Sequence, residues 1–200
     1  MMKKQESKTV IELHDLKISQ ITVTINGLTP LIVHNFSAKS SRQILEKQQG
    51  KAKNAKHEIR KPEEECEAAK HISIDGWEGF PVGGLKKCLV RGGKAVGLVM
   101  TDLRSAVFVE ADCKTKNLFR INGKSKMGED PIRLPNGAID LRYRPYYNEW
   151  SANLKITFNE GLVSKDQLLQ ALYAGGFGVG LGDWRPEKGG DFGRFSVQGM

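Results

Sequence analysis

The sequence has few cysteines and no long apolar run, and both features exclude certain classes of protein. Its 200 residues include three cysteines, no two of them at Cys-x-x-Cys spacing. Such a set is neither a disulfide framework nor a zinc site. No stretch approaches the roughly 20 apolar residues of a membrane-spanning helix, which excludes a transmembrane protein. Residues 1–8 are polar and charged with no hydrophobic run behind them, so we expect no secretory signal and a cytoplasmic protein.

Positive charge is in excess. Lys and Arg total 31 against 23 Asp and Glu, which gives a formal net charge of +8. A polyanion releases condensed counterions when cations neutralise its phosphates, so this balance favours nucleic acid as a partner. The charge alone does not show whether the protein binds nucleic acid.

Alternation of apolar and polar residues predicts the core strands, and helical patterns lie between them. Residues 20–26 alternate so that Ile21, Val23 and Ile25 share one face of a strand. Ser164 begins a helix with a capping box at Gln167, and Gly175 is expected to end that helix. The other predicted elements are a helix from Gly83 whose buried face carries Leu85, Cys88, Leu89 and Val96, and strands over 105–110, 153–158 and 192–197.

The order of these elements is strand, helix, strand, strand, helix, strand. This βαββαβ order is that of ferredoxin-like domains, including RNA-recognition modules. We therefore predict an α+β fold of the ferredoxin-like (RRM-type) class, in a single domain with a helical insertion and a hairpin-like insertion. The hairpin-like insertion contains short strand-like pieces over 118–121 and 139–144. The predicted bounds are 1–200 for the domain, 20–36, 80–111 and 152–198 for the core, 37–79 for the helical insertion and 112–151 for the hairpin-like insertion.

Three core segments carry a family pattern. The turn segment, 26–34, contains Thr-Pro-Leu, and the helix-start segment, 80–91, reads Phe-Pro-Val-Gly-Gly-Leu-Lys-Lys-Cys-Leu-Val-Arg. The glycine-rich loop, 178–194, opens Gly-Val-Gly-Leu-Gly-Asp-Trp-Arg and ends Asp-Phe-Gly-Arg before Phe195. In this order they resemble the RAMP superfamily of CRISPR-associated proteins, particularly the backbone subunits that coat guide RNA. The resemblance implies an RNA-binding protein that assembles side by side, as a homo-oligomer or filament along the strand.

Two positions depart from the family pattern. The helix-start segment has Val-Gly-Gly where the family usually shows Gly-Ser-Ser. Some backbone subunits cleave target RNA with an aspartate after the first strand, whereas residues 34–37 read His-Asn-Phe-Ser, with no acid. That cleavage activity is therefore not carried over. A stand-alone protein of a phage or mobile element fits the pattern equally.

The helix-start segment is the first candidate binding site. Gly83 and Gly84 at a helix start leave backbone N–H groups open to a phosphate, which the helix dipole favours. Lys86, Lys87 and Arg91 follow within about two turns. The alternative is that the glycines permit close packing and the cations form a solvated face.

The glycine-rich loop is the second candidate. Gly180 and Gly182 would let the chain approach a ligand backbone closely, while Trp184 and Phe192 offer stacking surfaces. The alternative is a tight loop whose Trp184 caps the core. The cations of this site are Arg185, Lys188 and Arg194.

A basic-aromatic cluster is the third candidate. Interleaved cations and rings suit a single strand, because phosphates need charge and splayed bases need flat partners. The alternative is a hairpin packed by its own aromatic side chains. The cluster comprises Arg142, Tyr143, Arg144, Tyr146, Tyr147 and Trp150.

Enzymatic features are sparse. The four histidines fall at no metal-ligand spacing, and we expect no metal and no cofactor. His34 is a weak candidate for acid-base catalysis, since RAMP-like processing endonucleases often use a histidine. We predict a non-catalytic binder of single-stranded nucleic acid, with RNA preferred over DNA through the resemblance. The alternatives are an RNA-processing endoribonuclease of the same superfamily, and a protein-binding adaptor or inhibitor of a CRISPR-like complex.

Overall fold

The computed structural model describes residues 15–36, 44–46, 48–50, 60–134 and 136–199. Within this part of the chain, no helix is long and apolar enough to cross a membrane. The helices include α1 (Pro62–Ala68), α2 (Val82–Ala95), α3 (Met100–Ala106) and α4 (Lys165–Gly178). The strands are β1 (Ile18–Gly27), β2 (Leu31–Ile32), β3 (His71–Ile72), β4 (Glu78–Pro81), β5 (Val107–Val109), β6 (Leu118–Arg120), β7 (Asn122–Arg133), β8 (Ile139–Asn159) and β9 (Phe195–Val197).

The main sheet has ferredoxin-like topology. Four of its strands lie side by side in the order β9, β1, β8 and β5, and every neighbouring pair is antiparallel. In chain order these are the fourth, first, third and second strands of the βαββαβ unit, with α2 and α4 as its helices. The predicted ferredoxin-like α+β fold is thus confirmed by strand order.

Strand alternation sets the core between this sheet and the helices. Ile21 lies opposite Ile156, and Val23 opposite Leu154. Val23, Leu154 and Ile156 are buried beneath the helices, and Ile21 is partly buried against them. The outer face is polar: Thr24 Oγ1 donates to Asn153 Oδ1 at 2.9 Å. One face of the sheet is therefore a core face and the other is open.

Glycines bring α2 and α4 together. A Cβ at Gly92 would overlap the backbone of Ala171 and Gly175, and one at Gly175 would lie 2.8 Å from the Cys88 carbonyl oxygen. Gly175 therefore serves helix packing and does not end the helix, which runs to Gly178. The prediction that Gly175 ends α4 is wrong for this reason, while the capping box between Ser164 and Gln167 is confirmed.

Other predicted elements differ from the structure in their bounds. Val96 is 42% exposed because it lies beyond the end of α2, so it is not part of the buried face. The predicted strands over 139–144 and 153–158 are parts of one strand, β8, which pairs with β7 over its first half and with β1 over its second. The last strand begins at Phe195 and not at Phe192.

The region predicted as a helical insertion is only partly described. Residues 37–43, 47 and 51–59 lie outside the described residues. The described remainder contains α1, β3 and the start of β4, and β3, β4 and β6 form a small second sheet. The division of the chain into a core and two insertions stays a prediction.

Candidate nucleic-acid interface

The three family-like segments meet around the glycine-rich loop. The Asp183 amide donates to the Ile32 carbonyl at 3.0 Å, and the Gly193 amide donates to the Pro30 carbonyl at 2.8 Å. These bonds fix the loop on the turn segment. Arg91, the last residue of the helix-start segment, forms an ion pair with Glu187, so the end of that segment farthest from Gly83 also touches the loop. Segments far apart in sequence thus build one contiguous region.

The loop glycines face the chain itself. Gly182 has φ +74°, and a Cβ there would overlap the Ile32 carbonyl and lie 2.9 Å from Leu31 Cδ1. Gly180 has φ +71°, and its Cβ would lie 2.8 Å from Pro186 Cδ. The missing side chains make room for the protein's own turn segment and loop. The prediction that Gly180 and Gly182 contact a ligand backbone is corrected on this ground.

Trp184 stands out in the loop. It has φ +54°, a left-handed conformation that residues other than glycine rarely adopt, and it is 46% exposed. The Phe192 amide donates to the Trp184 carbonyl at 3.1 Å, and Gly190 packs so closely on that carbonyl that a Cβ would overlap it. The loop therefore holds the Trp184 backbone in this conformation and leaves the residue half-exposed to solvent. The alternative prediction that Trp184 caps the core is wrong.

The cations near the loop are largely paired. Arg185 Nη2 lies 2.9 Å from Glu187 Oε2, and its Nη1 donates to the Gly182 carbonyl at 3.0 Å. Arg91 shares the same carboxylate. Lys188 is exposed and makes no ion pair with the described residues. Arg194 lies over the Phe177 ring, 4.9 Å from its centroid. Lys188 and Arg194 are thus more available to an anion than Arg91 and Arg185.

Arg144 belongs to a buried network. It is 5% exposed, its Nη1 donates to Asp183 Oδ2 at 2.7 Å and its Nη2 lies 2.9 Å from Asp130 Oδ2. Tyr146 Oη donates to the other oxygen of Asp130 at 2.5 Å. Burial, and then this hydrogen bond, raises the pKa of Tyr146. Arg144 already pairs with both neighbouring carboxylates, so the prediction that it contacts a phosphate is corrected.

The rest of the basic-aromatic cluster does not form one surface. Trp150 is 5% exposed, packs edge-on against Phe195 with ring centroids 6.2 Å apart, and donates from Nε1 to the Thr29 carbonyl at 2.9 Å. It is a core residue, which corrects its predicted stacking role. Arg142 is half-exposed and lies 3.3 Å from Asp140. Trp150 packs against Phe195 and Tyr146 against Phe192, both outside the hairpin, so the alternative of a hairpin packed by its own aromatic side chains is not confirmed either.

The start of α2 is separate from the loop. Gly83 faces open space, whereas a Cβ at Gly84 would lie 2.6 Å from the Phe80 ring. Lys86 Nζ lies 4.2 Å from the centroid of the Phe108 ring, and burial lowers the pKa of Lys86. Arg91 follows Gly83 by eight positions, about 12 Å along a helix. The first and second candidate sites are therefore distinct places on the molecule.

His34 is the histidine beside the loop. Its Nδ1 lies 3.3 Å from Asp183 Oδ2, and its side chain is partly exposed. Burial alone would raise the pKa of Asp183, but the hydrogen bonds from His34 and Arg144 outweigh it and hold that pKa below its usual value. Sequence reasoning missed this role of Asp183. The sequence carries no direct signal for it, because Asp183 lies 39 residues from Arg144 and the burial of Arg144 is a property of the fold.

A pH prediction arises from His71, which packs edge-on against Phe80. Burial, and secondarily the charge of His34, lowers the pKa of His71. The unfolded chain therefore binds a proton first, so this residue reduces stability as the pH falls below about 6.5. We expect the urea midpoint of the wild type to fall between pH 7.5 and 5.5 more steeply than that of His71→Gln. Parallel curves would contradict the assignment.

Comparison with known proteins finds a likeness in structure but none in sequence. No family model matches the chain, and no curated protein matches it. Among solved structures it is similar to Cmr6 from Pyrococcus furiosus, with a TM-score of 0.42 and 8% identity, over 91% of this chain and 99% of that one. The fold assignment above rests on the strand order of this chain. The family resemblance of the three segments stays a prediction.

Proposed function

We propose that this protein binds single-stranded nucleic acid, with the glycine-rich loop presenting Trp184 to a base. Trp184 carries the proposal: a bulky residue held in a left-handed conformation costs free energy, and here that conformation accompanies an aromatic residue that is half-exposed to solvent. Stacking of unpaired bases on such rings is the common mode of single-strand binding. The net charge of +8 and the exposed Lys188 of the same loop supply the attraction for phosphate.

The open face of the sheet does not support the binding mode of RNA-recognition modules. Those modules stack bases on aromatic residues of the central strands. Here the outer positions of β1 and β8 carry small or polar side chains. Phe108 is aromatic and 55% exposed, but it lies on β5, outside the central strands, and Lys86 Nζ is 4.2 Å from the centroid of its ring. These outer positions are Thr22, Thr24, Asn153, Lys155 and Thr157.

Replacing Trp184 separates binding from folding. Trp184→Gly removes the stacking ring and relieves the backbone, so we expect weaker oligonucleotide binding together with equal or higher stability. The loss of one base stack corresponds to about 1–3 kcal/mol, or roughly 5- to 150-fold in affinity. Fluorescence anisotropy of a labelled single strand measures the affinity, and urea unfolding measures the stability.

Trp184→Phe is the matched control for this test. It keeps an aromatic ring and the strained backbone, so it should retain most of the affinity. If Trp184→Gly binds as tightly as the wild type, the loop is not the binding surface. RNA as the ligand, and assembly of copies along the strand, follow from the family resemblance and are part of the proposal.

The pair of His34 and Asp183 favours endonuclease activity as a second candidate function. A carboxylate that accepts from Nδ1 orients an imidazole, and His34 remains partly exposed to solvent beside the loop. Incubation of the nuclease-free protein with a labelled RNA should then give products that disappear with His34→Ala. Cleavage that persists in His34→Ala would assign the activity to another residue or to a contaminant.

A further inference from the structure

Three Asn-Gly pairs in the chain are chemically alike but lie in different surroundings. In such a pair, the backbone nitrogen of the glycine can attack the side-chain carbonyl carbon of the asparagine and close a five-membered ring, and glycine has no side chain that shields the nitrogen. This intramolecular attack is fast only where the backbone is free to bring the two atoms together. The surroundings of each pair therefore determine how fast it reacts. The pairs are Asn26–Gly27, Asn122–Gly123 and Asn136–Gly137.

The first pair is held inside the main sheet. Asn26 lies opposite Ser151 of β8 on one side and Ser196 of β9 on the other. The Trp150 ring packs so closely on Gly27 that a Cβ there would overlap it. Rotating the peptide unit between Asn26 and Gly27 would therefore require β1 to separate from its neighbours.

The second pair is held at the start of β7. Asn122 lies opposite Ser151, and Gly123 lies opposite Trp150 of the same strand, β8. A Cβ at Gly123 would lie 2.5 Å from the Glu149 carbonyl oxygen, so the backbone is closely packed here as well. Ring closure at Asn122 would require the end of the β7–β8 ladder to open.

The third pair lies between the two strands of the β7–β8 hairpin. β7 ends at Arg133 and β8 begins at Ile139, so neither Asn136 nor Gly137 belongs to a strand. Both residues are exposed, and a Cβ at Gly137 would have nothing within 4 Å among the described residues. The Gly137 amide donates to the Leu134 carbonyl at 2.9 Å. Opening this one exposed bond separates no strands, so it costs less free energy than opening the sheet.

The Asn136 side chain is also oriented for attack. Its Oδ1 accepts a hydrogen bond from the Ala138 amide at 3.1 Å, which holds the side-chain carbonyl against the backbone that contains the Gly137 nitrogen. Negative charge develops on Oδ1 when the nitrogen attacks the carbonyl carbon. A donor already bonded to that oxygen stabilises this charge.

We propose that Asn136 is a site of self-modification, at which the folded chain deamidates through attack by the Gly137 nitrogen. This nitrogen loses its proton to hydroxide and forms a bond to Cγ of Asn136. The bond between Cγ and the side-chain nitrogen breaks, and that nitrogen leaves as ammonia with a proton from water. Water then opens the cyclic imide at one of its two carbonyls, which gives aspartate or isoaspartate.

The product has one carboxylate in place of one amide, so the formal net charge of +8 falls by one. The chain itself supplies the nucleophile and the electrophile, and water is the only co-reactant. This modification is independent of the proposed nucleic-acid binding.

The test compares the three pairs within one protein. The full chain is incubated folded in mildly alkaline buffer, and digestion with trypsin places the three pairs on separate peptides, whose deamidated fractions are measured by mass spectrometry. We expect Asn136 to react at least about a hundredfold faster than Asn26 and about tenfold faster than Asn122, because local opening costs least there. In concentrated urea, all three pairs should react at similar rates, because the surroundings that distinguish them are lost.

Matched substitutions identify the source of the charge change. Asn136→Gln would have to close a six-membered ring, which is much slower, so the acidic species that ion exchange separates from the aged wild type should not form. Asn26→Gln should leave that species unchanged. The proposal is overturned if Asn136 stays intact in the folded chain while the urea-unfolded chain reacts. It is also overturned if Asn26 or Asn122 reacts as fast as Asn136 in the folded chain, or if the acidic species persists in Asn136→Gln.

Discussion

Arg144→Met is expected to lower the free energy of unfolding by about 3–5 kcal/mol, because breaking a buried ion pair leaves charge uncompensated. Arg144 is buried and joins two carboxylates, those of Asp130 and Asp183. Without the guanidinium, both carboxylates remain near each other with no shared cation. The partial exposure of Asp183 places the expected loss at the lower end of this range. Urea unfolding at neutral pH measures it.

Arg142→Met is the matched control, since it lies on the same strand two residues earlier. Its side chain is half-exposed and its ion pair with Asp140 is open to solvent. Exposed pairs contribute up to about 1 kcal/mol, so the control should remain close to the wild type. Equal losses for the two variants would contradict a buried role for Arg144.

The same pair of variants tests whether Arg144 has a structural role or binds a phosphate. When a variant no longer binds one of the phosphates of a single strand, the plot of log affinity against log salt flattens by about 0.7. Because Arg144 faces carboxylates, we expect the slope per folded molecule to be unchanged in Arg144→Met. A flatter slope in that variant would return Arg144 to the binding surface.

The sequence predicted the fold because local periodicity specifies which residues face the core. Alternation at Ile21, Val23 and Ile25 set the inner face of β1, and the order of strands and helices then left few topologies. The two strands predicted over 139–158 were not joined, because the residues between them, rich in aromatics, show no clean alternation. Their continuity in β8 is set by pairing with β7 and β1, which are distant in sequence.

The candidate site was predicted less well, because a side chain's partner is a long-range property. Arg144 and Trp150 stand among cations and rings in the sequence, which suits nucleic acid. Their actual partners are Asp183 and the Thr29 carbonyl, respectively 39 and 121 residues away. The density of glycines correctly marked a tight loop, but it could not tell whether the missing side chains make room for a ligand or for the protein's own backbone.

Gly182→Val tests whether Gly182 makes room for a ligand or for the protein's own backbone. A valine there would take φ +74°, which costs about 1–3 kcal/mol, and its Cβ would overlap the Ile32 carbonyl, which adds a similar cost. We therefore expect the free energy of unfolding to fall by roughly 3 kcal/mol or more. Urea unfolding and oligonucleotide affinity are measured on the same preparation, with the affinity expressed per folded molecule.

Gly178→Val provides the control, because Gly178 ends α4 at the start of the glycine-rich loop and has nothing within 4 Å of an added Cβ. Its stability should change by less than about 0.5 kcal/mol. For Gly182→Val, the packing role predicts lower stability with unchanged affinity, since the glycine faces the turn segment and not Trp184. Weaker affinity with unchanged stability would instead show that Gly182 touches the ligand.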